Sequence, residues 1–318
     1  MKVSEVSVGT WQVGGGWGQP FDRDAARSIV GEAIDRGVNF IDTADVYSDG
    51  LSEAVVGEVV RGRSEEVFVA TKCGRGLSPH VQEAYTPESM RSFVEASLRN
   101  TGLDRLDLVQ LHCPPTQVYY RPEIFETFER LREEGKIAHL GVSVEKVEEA
   151  EKAIEFPNVA TVQIIFNMFR LRPRERFFQR AASRGVGIIV RVPLASGLLS
   201  GKFAADTVFA AEDHRAFNRD GAAFDKGETF SGVPYRDALE AVAELQNVLP
   251  KEIPTAQSAL RWILDHPAVS TVIPGASRIE QVVSNVEASE LPPLSAAVND
   301  GVTAIYDRRV RPLVHHLW

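Results

Sequence analysis

The segment 39-NFIDTA-44 shows the pattern that decides the fold, a short apolar run followed by the carboxylate side chain of Asp42. Seven further apolar runs rich in Val, Ile or Phe occur at residues 6–11, 67–72, 106–112, 139–143, 161–167, 186–194 and 269–275. Strands that are covered on both faces, as in a parallel sheet, are apolar nearly throughout. The eight runs therefore predict eight buried strands.

Helical patterns separate the predicted strands. Asp22 suits the N-cap of a helix that ends near Gly37, and Thr86 precedes Pro87 at a first helical position. Further helices are predicted at residues 121–135, 145–155, 173–184, 236–248, 254–265 and 278–288. This alternation predicts parallel strands joined by right-handed crossovers. Eight strand-helix units favour a closed (β/α)8 barrel, the TIM barrel, and we expect residues 1–318 to form a single domain of this α/β class.

Two connections of the predicted barrel differ from the others. The one between residues 194 and 275 is long, and in a barrel a loop after the seventh strand lies over the active-site face. The first strand begins within a few residues of Met1, so we expect any hairpin that closes the bottom of the barrel to be truncated.

The composition limits the class of partner. A net charge of −9 argues against a nucleic-acid-binding protein, which needs a clustered basic surface. The first residues do not form a signal peptide, and no apolar stretch is long enough to cross a membrane. The two cysteines, Cys73 and Cys113, form neither a disulfide framework nor a metal-ligand spacing. We therefore expect a cytoplasmic protein with a small-molecule partner and without a metal site.

Polar side chains stand at the carboxyl ends of the predicted strands. Asp42, Lys72 and His112 each end an apolar run, and Tyr47 follows shortly after the first of them. A barrel gathers the carboxyl ends of all its strands around one mouth, where catalytic residues lie. Taken singly, Lys72 could be a surface lysine and His112 a hydrogen-bonded core histidine. The four residues together are better explained as one site.

This set of groups can act as a general acid. The pKa of a tyrosine is ordinarily near 10, and a neighbouring ammonium lowers it by favouring the phenolate. A carboxylate would keep the lysine charged, and the histidine could orient a carbonyl oxygen. Tyr47 would then protonate a developing alkoxide. None of these groups supplies a hydride, so the chemistry requires a redox cofactor.

At this point the chain resembles the aldo-keto reductase family over nearly its whole length. The resemblance is carried by the segments NFIDTADVYSDGLSE, FVATK, LVQLH, HLGVS, VQIIFN, PLASGLLSGKF and IPGASRIEQVVSN. It implies that Tyr47 is the proton donor, that Lys72 and Asp42 tune it, and that His112 orients the substrate.

The resemblance also implies a nicotinamide site. Ser143 and Gln163 match positions that hold the nicotinamide carboxamide, and Asn167 falls near the cofactor in related sequences. Many members have an asparagine after the serine, where this chain has Val144, so one amide contact is missing here or comes from Asn167. Trp11 and Trp17, in or beside the first loop, are candidates for the substrate pocket.

Two glycine-containing segments resemble those that hold the rest of the dinucleotide. The first segment offers backbone N–H groups at glycines and a lysine charge to the pyrophosphate. The second is expected to open a helix whose N-terminus suits a phosphate, with Ser277 as its cap. The residues assigned to the cofactor in these segments are Leu194, Ser196, Gly197, Leu198, Lys202, Gly275, Ser277, Arg278, Gln281 and Asn285. Arg278, and Arg215 in the long loop, suit a 2′-phosphate and favour NADPH over NADH.

The sequence thus predicts an oxidoreductase that reversibly reduces an aldehyde or ketone to an alcohol, with NADPH as hydride donor. An alternative is a regulatory or nucleotide-sensing subunit that keeps the fold and turns over slowly. A further alternative is a barrel aldolase in which Lys72 forms a Schiff base, although the cofactor-like segments would then have no role.

Overall fold

Eight parallel strands form the centre of the computed structural model, which describes residues 1–15 and 19–318. The strands are β1 (Val8–Gly9), β2 (Phe40–Asp42), β3 (Phe68–Cys73), β4 (Leu106–His112), β5 (Ile137–Ser143), β6 (Val159–Ile165), β7 (Gly187–Arg191) and β8 (Val269–Val272). Each strand pairs in parallel with the next along the chain. Parallel bridges from Val6 to Val272 and from Gly9 to Gly275 join the last strand to the first. The predicted closed (β/α)8 barrel is therefore confirmed.

Helices connect the strands and cover the outside of the barrel. They are α1 (Arg23–Asp35), α2 (Leu51–Arg61), α3 (Pro87–Thr101), α4 (Pro122–Glu133), α5 (Val147–Ala153), α6 (Phe177–Ser183), α7 (His214–Phe217), α8 (Tyr235–Val248), α9 (Thr255–Leu264), α10 (Ile279–Glu287), α11 (Ala296–Ile305) and α12 (Arg311–Val314). The Asp22 side chain accepts a hydrogen bond from Ala25 N at 2.9 Å, and Thr86 caps α3 with Pro87 at its first position. Among the described residues, every helix is too short or too polar to cross a membrane.

Several strands are shorter than their apolar runs. The seventh ends at Arg191 rather than at residue 194, because Val192 adopts a positive φ of 51° that leaves the strand conformation. The eighth ends at Val272, shortly before Pro274, which has no backbone N–H to donate. The first keeps only two residues as a strand, and no hairpin precedes it in the described part of the chain.

The interior of the barrel changes from apolar to polar along the strands. Phe40, Ala70, Leu108 and Ile189, from four strands, form one buried cluster. Because side chains two positions apart lie on the same face of a strand, the next interior layer towards the carboxyl ends contains polar residues. That layer holds Asp42, Lys72, Gln110 and Arg191, all of them buried. The apolar layer supports the polar groups from below and keeps water away from them.

Candidate active site

Lys72 lies at the centre of a buried polar cluster. Its Nζ donates hydrogen bonds to the Asp42 carboxylate, to Thr43 O at 2.9 Å and to Tyr47 Oη at 3.3 Å. The side chains of Lys72 and Asp42 are 1% and 2% exposed, so the ammonium and the carboxylate compensate each other's burial. All three donors of the ammonium therefore have an acceptor, which fixes it against the Tyr47 phenol.

Asp42 is held by two amides besides Lys72. Its Oδ2 accepts hydrogen bonds from Gln110 Nε2 at 3.0 Å and from Gln163 Nε2 at 2.8 Å. Ser143 Oγ donates to Gln163 Oε1 at 3.4 Å, so these two predicted nicotinamide contacts lie side by side. Gln110 was not identified from the sequence, although a polar residue two positions before His112 in an apolar strand was a usable signal.

His112 and Trp11 complete the surroundings of the phenol. The His112 ring meets the Tyr47 ring edge to face, with centroids 6.0 Å apart. Trp11 approaches from the first loop, with its ring centroid 6.5 Å from that of Tyr47. The four residues predicted to act together thus come from three strands and one loop to surround one point.

Burial and charge set the protonation of these groups. Burial raises the pKa of Tyr47 above its ordinary value, although the Lys72 ammonium acts to lower it. The net direction is opposite to the one expected from the sequence, because a buried phenolate loses its hydration. Burial acts to lower the pKa of Lys72, but Asp42 and Tyr47 raise it overall. Burial, together with Arg75 and Lys72, holds the pKa of His112 well below its ordinary value.

These directions limit the chemistry near neutral pH. Tyr47 carries its proton and can give it up, Lys72 is an ammonium, and His112 is a neutral imidazole. A lysine that stays protonated is a poor nucleophile, which counts against the aldolase alternative.

A cavity of about 620 Å³ opens at the carboxyl ends of the strands and holds most of the predicted site. Residues assigned to catalysis, cofactor or substrate that line it are Trp11, Asp42, Tyr47, His112, Gln163, Leu194, Ser196, Gly197, Lys202, Arg215, Gly275, Arg278 and Gln281. Lys72 lies behind Tyr47, and Ser143 lies behind Gln163. Trp17 lies outside the described residues.

Other assigned residues are directed elsewhere. The Asn167 amide donates to Val192 O and to Ser231 Oγ, both at 2.9 Å, and so joins two loops instead of facing the cavity. Leu198 is 1% exposed within the apolar core, and Asn285 is buried on α10. Ser277 does not cap α10, because this helix begins at Ile279 and its N-cap is Arg278. The Ser277 backbone N–H instead donates to Gln281 Oε1 at 2.8 Å.

The lining chemistry of the cavity fits a dinucleotide. Lys202, Arg215 and Arg278 supply positive charge for phosphates, and Gly197 adopts a positive φ of 95° that turns the backbone sharply. A Cβ added at Gly275 would meet no atom closer than 3.8 Å, so the backbone there is open to a ligand. The Arg278 side chain is 61% exposed, whereas Arg215 is held by Asp213.

An ionic cluster on the cavity wall was missed by the sequence analysis. Arg75, Arg191 and Glu228 line the cavity, and Glu145 lies behind them. Arg191 contacts Glu145, Glu228 and the Cys113 Sγ, at 2.9, 3.5 and 3.6 Å. The guanidinium therefore contacts two carboxyl groups and a thiol whose polar atoms lie within 4.8 Å of one another. Arg191, a charge inside the apolar run 186–194, was a signal; Glu228 in the long loop gave none.

Comparisons with known proteins match this architecture over almost the whole chain. The model of the Aldo/keto reductase family matches residues 5–307. The chain is 28% identical over 306 residues to the NADH-specific methylglyoxal reductase of Escherichia coli (strain K12). The aligned region covers 91% of this chain and 90% of that protein.

Two solved structures extend the similarity to three dimensions. A glycerol dehydrogenase from Gluconobacter oxydans superimposes with a TM-score of 0.78 at 29% identity, over 97% of this chain and 93% of that chain. An aldo-keto reductase from Klebsiella pneumoniae in complex with NADPH gives a TM-score of 0.69 at 25% identity, over 96% and 91% of the two chains.

Proposed function

This chain belongs to the aldo/keto reductase family, and on that premise we propose that it reversibly reduces an aldehyde or ketone to an alcohol with NADPH. The observation that carries the proposal is the Tyr47 phenol at the cavity wall, hydrogen-bonded from behind by a buried ammonium. Such a phenol has one face open to a ligand, and the neighbouring ammonium offsets part of the cost of forming a buried phenolate.

Each residue of the cluster has a part in the proposed reaction. Tyr47 donates its proton to the carbonyl oxygen as negative charge develops there. The Lys72 ammonium stabilises the phenolate that remains, and Asp42 keeps the lysine charged and in place. Neutral His112 orients the carbonyl oxygen as a hydrogen-bond donor. In the alcohol-oxidising direction Tyr47 takes the proton back.

The nicotinamide cofactor, when bound, supplies the hydride that reaches the carbonyl carbon. We assign the carboxamide to Gln163 and Ser143, and the phosphates to the Gly197 segment with Lys202, Arg215 and Arg278. The preference for NADPH rests on the two arginines. The relative that is specific for NADH makes a direct comparison of the two cofactors necessary.

The decisive test is Tyr47→Phe. We expect this variant to bind NADPH with unchanged affinity, measured by quenching of tryptophan fluorescence. We expect its turnover of aldehydes, followed by NADPH absorbance, to fall about 10²- to 10⁴-fold, because the proton donor is lost. Turnover equal to that of the parent would refute the mechanism.

Two observations would favour the regulatory subunit or the aldolase over the proposed reductase. A parent protein that binds NADPH but reduces none of a broad panel of aldehydes would favour the regulatory subunit. Covalent trapping of a carbonyl substrate on Lys72 by borohydride would favour the aldolase.

Arg278→Ala tests the cofactor preference. Because this arginine is assigned to the 2′-phosphate, its removal should raise the KM for NADPH about ten-fold or more and leave the KM for NADH nearly unchanged. An equal effect on both cofactors would remove Arg278 from the proposed site.

A further inference from the structure

We propose that the substrates of this cavity are carbonyl compounds that also carry a carboxylate, and that Arg75 binds the carboxylate. The inference rests on the proposed carbonyl reduction and adds the class of substrate. It is drawn from the ionic cluster of Arg75, Glu145, Arg191 and Glu228.

The first step is the position of the cluster. Arg75 Nη1 donates to Glu228 Oε1 at 3.0 Å, and both side chains line the cavity that Tyr47 and His112 also line. Arg75 follows Lys72 by three positions. Its positive charge acts to lower the pKa of His112, which lines the same cavity.

The second step is the charge of the cluster. Carboxyl oxygens of Glu145 and Glu228 and the Cys113 Sγ lie within 4.8 Å of one another. Two buried carboxylates this close do not both ionise near neutral pH, since each disfavours the charge of the other. Burial and Glu228 raise the pKa of Glu145, whereas Arg191 and Arg75 hold that of Glu228 low despite its burial. Within the cluster of Arg75, Glu145, Arg191 and Glu228, two guanidiniums therefore face one ionised carboxylate, and the sum of these four charges is positive.

The third step is the availability of donors. Arg191 Nη2 already donates to Val144 O at 3.0 Å and to Glu145 at 2.9 Å, and its Nε, which has no partner among the described residues, is buried away from the cavity surface. Arg75 is 22% exposed; its Nη1 is bound to Glu228, and its guanidinium lies over the Phe224 ring with 5.6 Å to the centroid. Its other N–H groups have no acceptor within residues 1–15 and 19–318. A planar guanidinium with free donors suits a carboxylate better than a neutral group.

Matched pairs of substrates test the proposal. We would measure kcat/KM for glyoxylate against acetaldehyde and for 4-oxobutanoate against butanal, which place the carboxylate at two distances from the carbonyl. In the parent, at least one carboxylated member should exceed its uncharged partner by about ten- to hundred-fold.

Variants of Arg75 should change that ratio. Arg75→Gln should lower it about ten-fold or more, and Arg75→Lys, which keeps the charge and loses the planar fork, should lower it less. Arg63→Gln, which removes a guanidinium paired with Asp35 outside the cavity, is the matched control. A parent without preference for the carboxylate, or a preference that survives in Arg75→Gln, would overturn the proposal.

The pH dependence of the ratio tests the charge of the cluster. The charged and titratable groups that face Glu145 are Arg75, Cys113, Tyr119, Arg170, Arg191, Asp225 and Glu228. As the pH rises from about 6 to about 9, Glu145 loses its proton, the net charge falls and the preference should decline. Glu145→Gln cannot lose a proton there and should keep the preference. Because both substrates meet the same enzyme, titration of Tyr47 cancels in the ratio.

A binding experiment keeps this inference distinct from the proposed reaction. Calorimetry on the protein saturated with NADP⁺ would compare butanoate with butanamide. If no aldehyde is reduced but butanoate binds and Arg75→Gln abolishes its binding, the proposed reaction fails and the anion site stands. If aldehydes are reduced and butanoate binds no better than butanamide, the anion site fails alone.

Discussion

At the scale of single residues, the buried pair of Lys72 and Asp42 dominates the site. An ammonium and a carboxylate in the barrel interior are tolerated because Gln110, Gln163 and Tyr47 satisfy their remaining hydrogen bonds. Removing one partner would leave the other charge buried without compensation, which typically costs ~3–5 kcal/mol.

Asp42→Asn should therefore reduce both stability and activity. We expect the free energy of unfolding, measured in urea at neutral pH, to fall by ~3 kcal/mol or more. Without the carboxylate, burial lowers the pKa of Lys72, so the loss should shrink as the pH rises and the lysine becomes neutral. A variant as stable as the parent would mean that the pair contributes little.

His112 should make the protein sensitive to acid. Its pKa is lowered in the folded state, so the unfolded chain binds the proton more tightly and stability falls as the pH drops below about 6.5. His112→Gln should reduce this loss by up to ~1.4 kcal/mol per pH unit, measured by urea unfolding at pH values between about 4.5 and 7. His316→Gln, the same substitution at an exposed position, is the control.

At the scale of elements, hydrogen bonds fix the long connection between β7 and β8 at several of its residues. Ser196 Oγ donates to Glu228 O at 3.0 Å and accepts from Phe230 N at 3.1 Å. The Asn167 amide reaches Ser231 from the loop after β6. The segment that carries Glu228 is therefore positioned from two neighbouring loops, which places that carboxylate on the cavity wall.

Asn167→Ala should loosen this connection. Removing a buried amide that joins two loops should raise the rate of tryptic cleavage after Arg215 or Arg219, identified by mass spectrometry. NADPH should slow the cleavage in the parent if the cofactor lies against this segment. Unchanged cleavage would show that Asn167 does not hold the loop and would return it to the candidates for a cofactor contact.

At the scale of the whole molecule, the barrel closes between the first and last strands. Ser7 N donates to Val272 O at 2.9 Å, and Val272 N donates to Glu5 O at 2.9 Å. The buried hydroxyls of Ser7 and Thr271 lie 2.6 Å apart across the same seam. Because β1 has only two residues, these hydrogen bonds supply much of the contact that closes the barrel.

Thr271→Val tests the seam. Losing the hydroxyl leaves Ser7 Oγ and Glu5 O without that partner, and we expect unfolding to require ~1–3 kcal/mol less free energy in urea. Thr161→Val is a matched control, because its buried hydroxyl in β6 has no hydrogen-bond partner in the part of the chain that the structure describes. The control should be neutral or stabilising; equal losses in the two variants would contradict the argument.

Local sequence determined the repeating unit of this protein. Apolar runs, caps such as Asp22 and Thr86, and polar residues at strand ends are all encoded within a few positions, so the eight strands and the Tyr47, Lys72, Asp42 and His112 set could be predicted. The helix α2, between β2 and β3, was not predicted. Strand ends were less certain, because the turn at Val192 depends on backbone conformation and not on hydrophobicity.

Only the tertiary structure decided how those side chains are used. The sequence did not reveal that the Asn167 amide joins two loops, and the pKa of Tyr47 follows its burial more than its neighbour's charge. The pair of Arg75 and Glu228 joins residues 153 positions apart. No local pattern encodes such a contact, because it forms only when two connections at the mouth of the closed barrel meet.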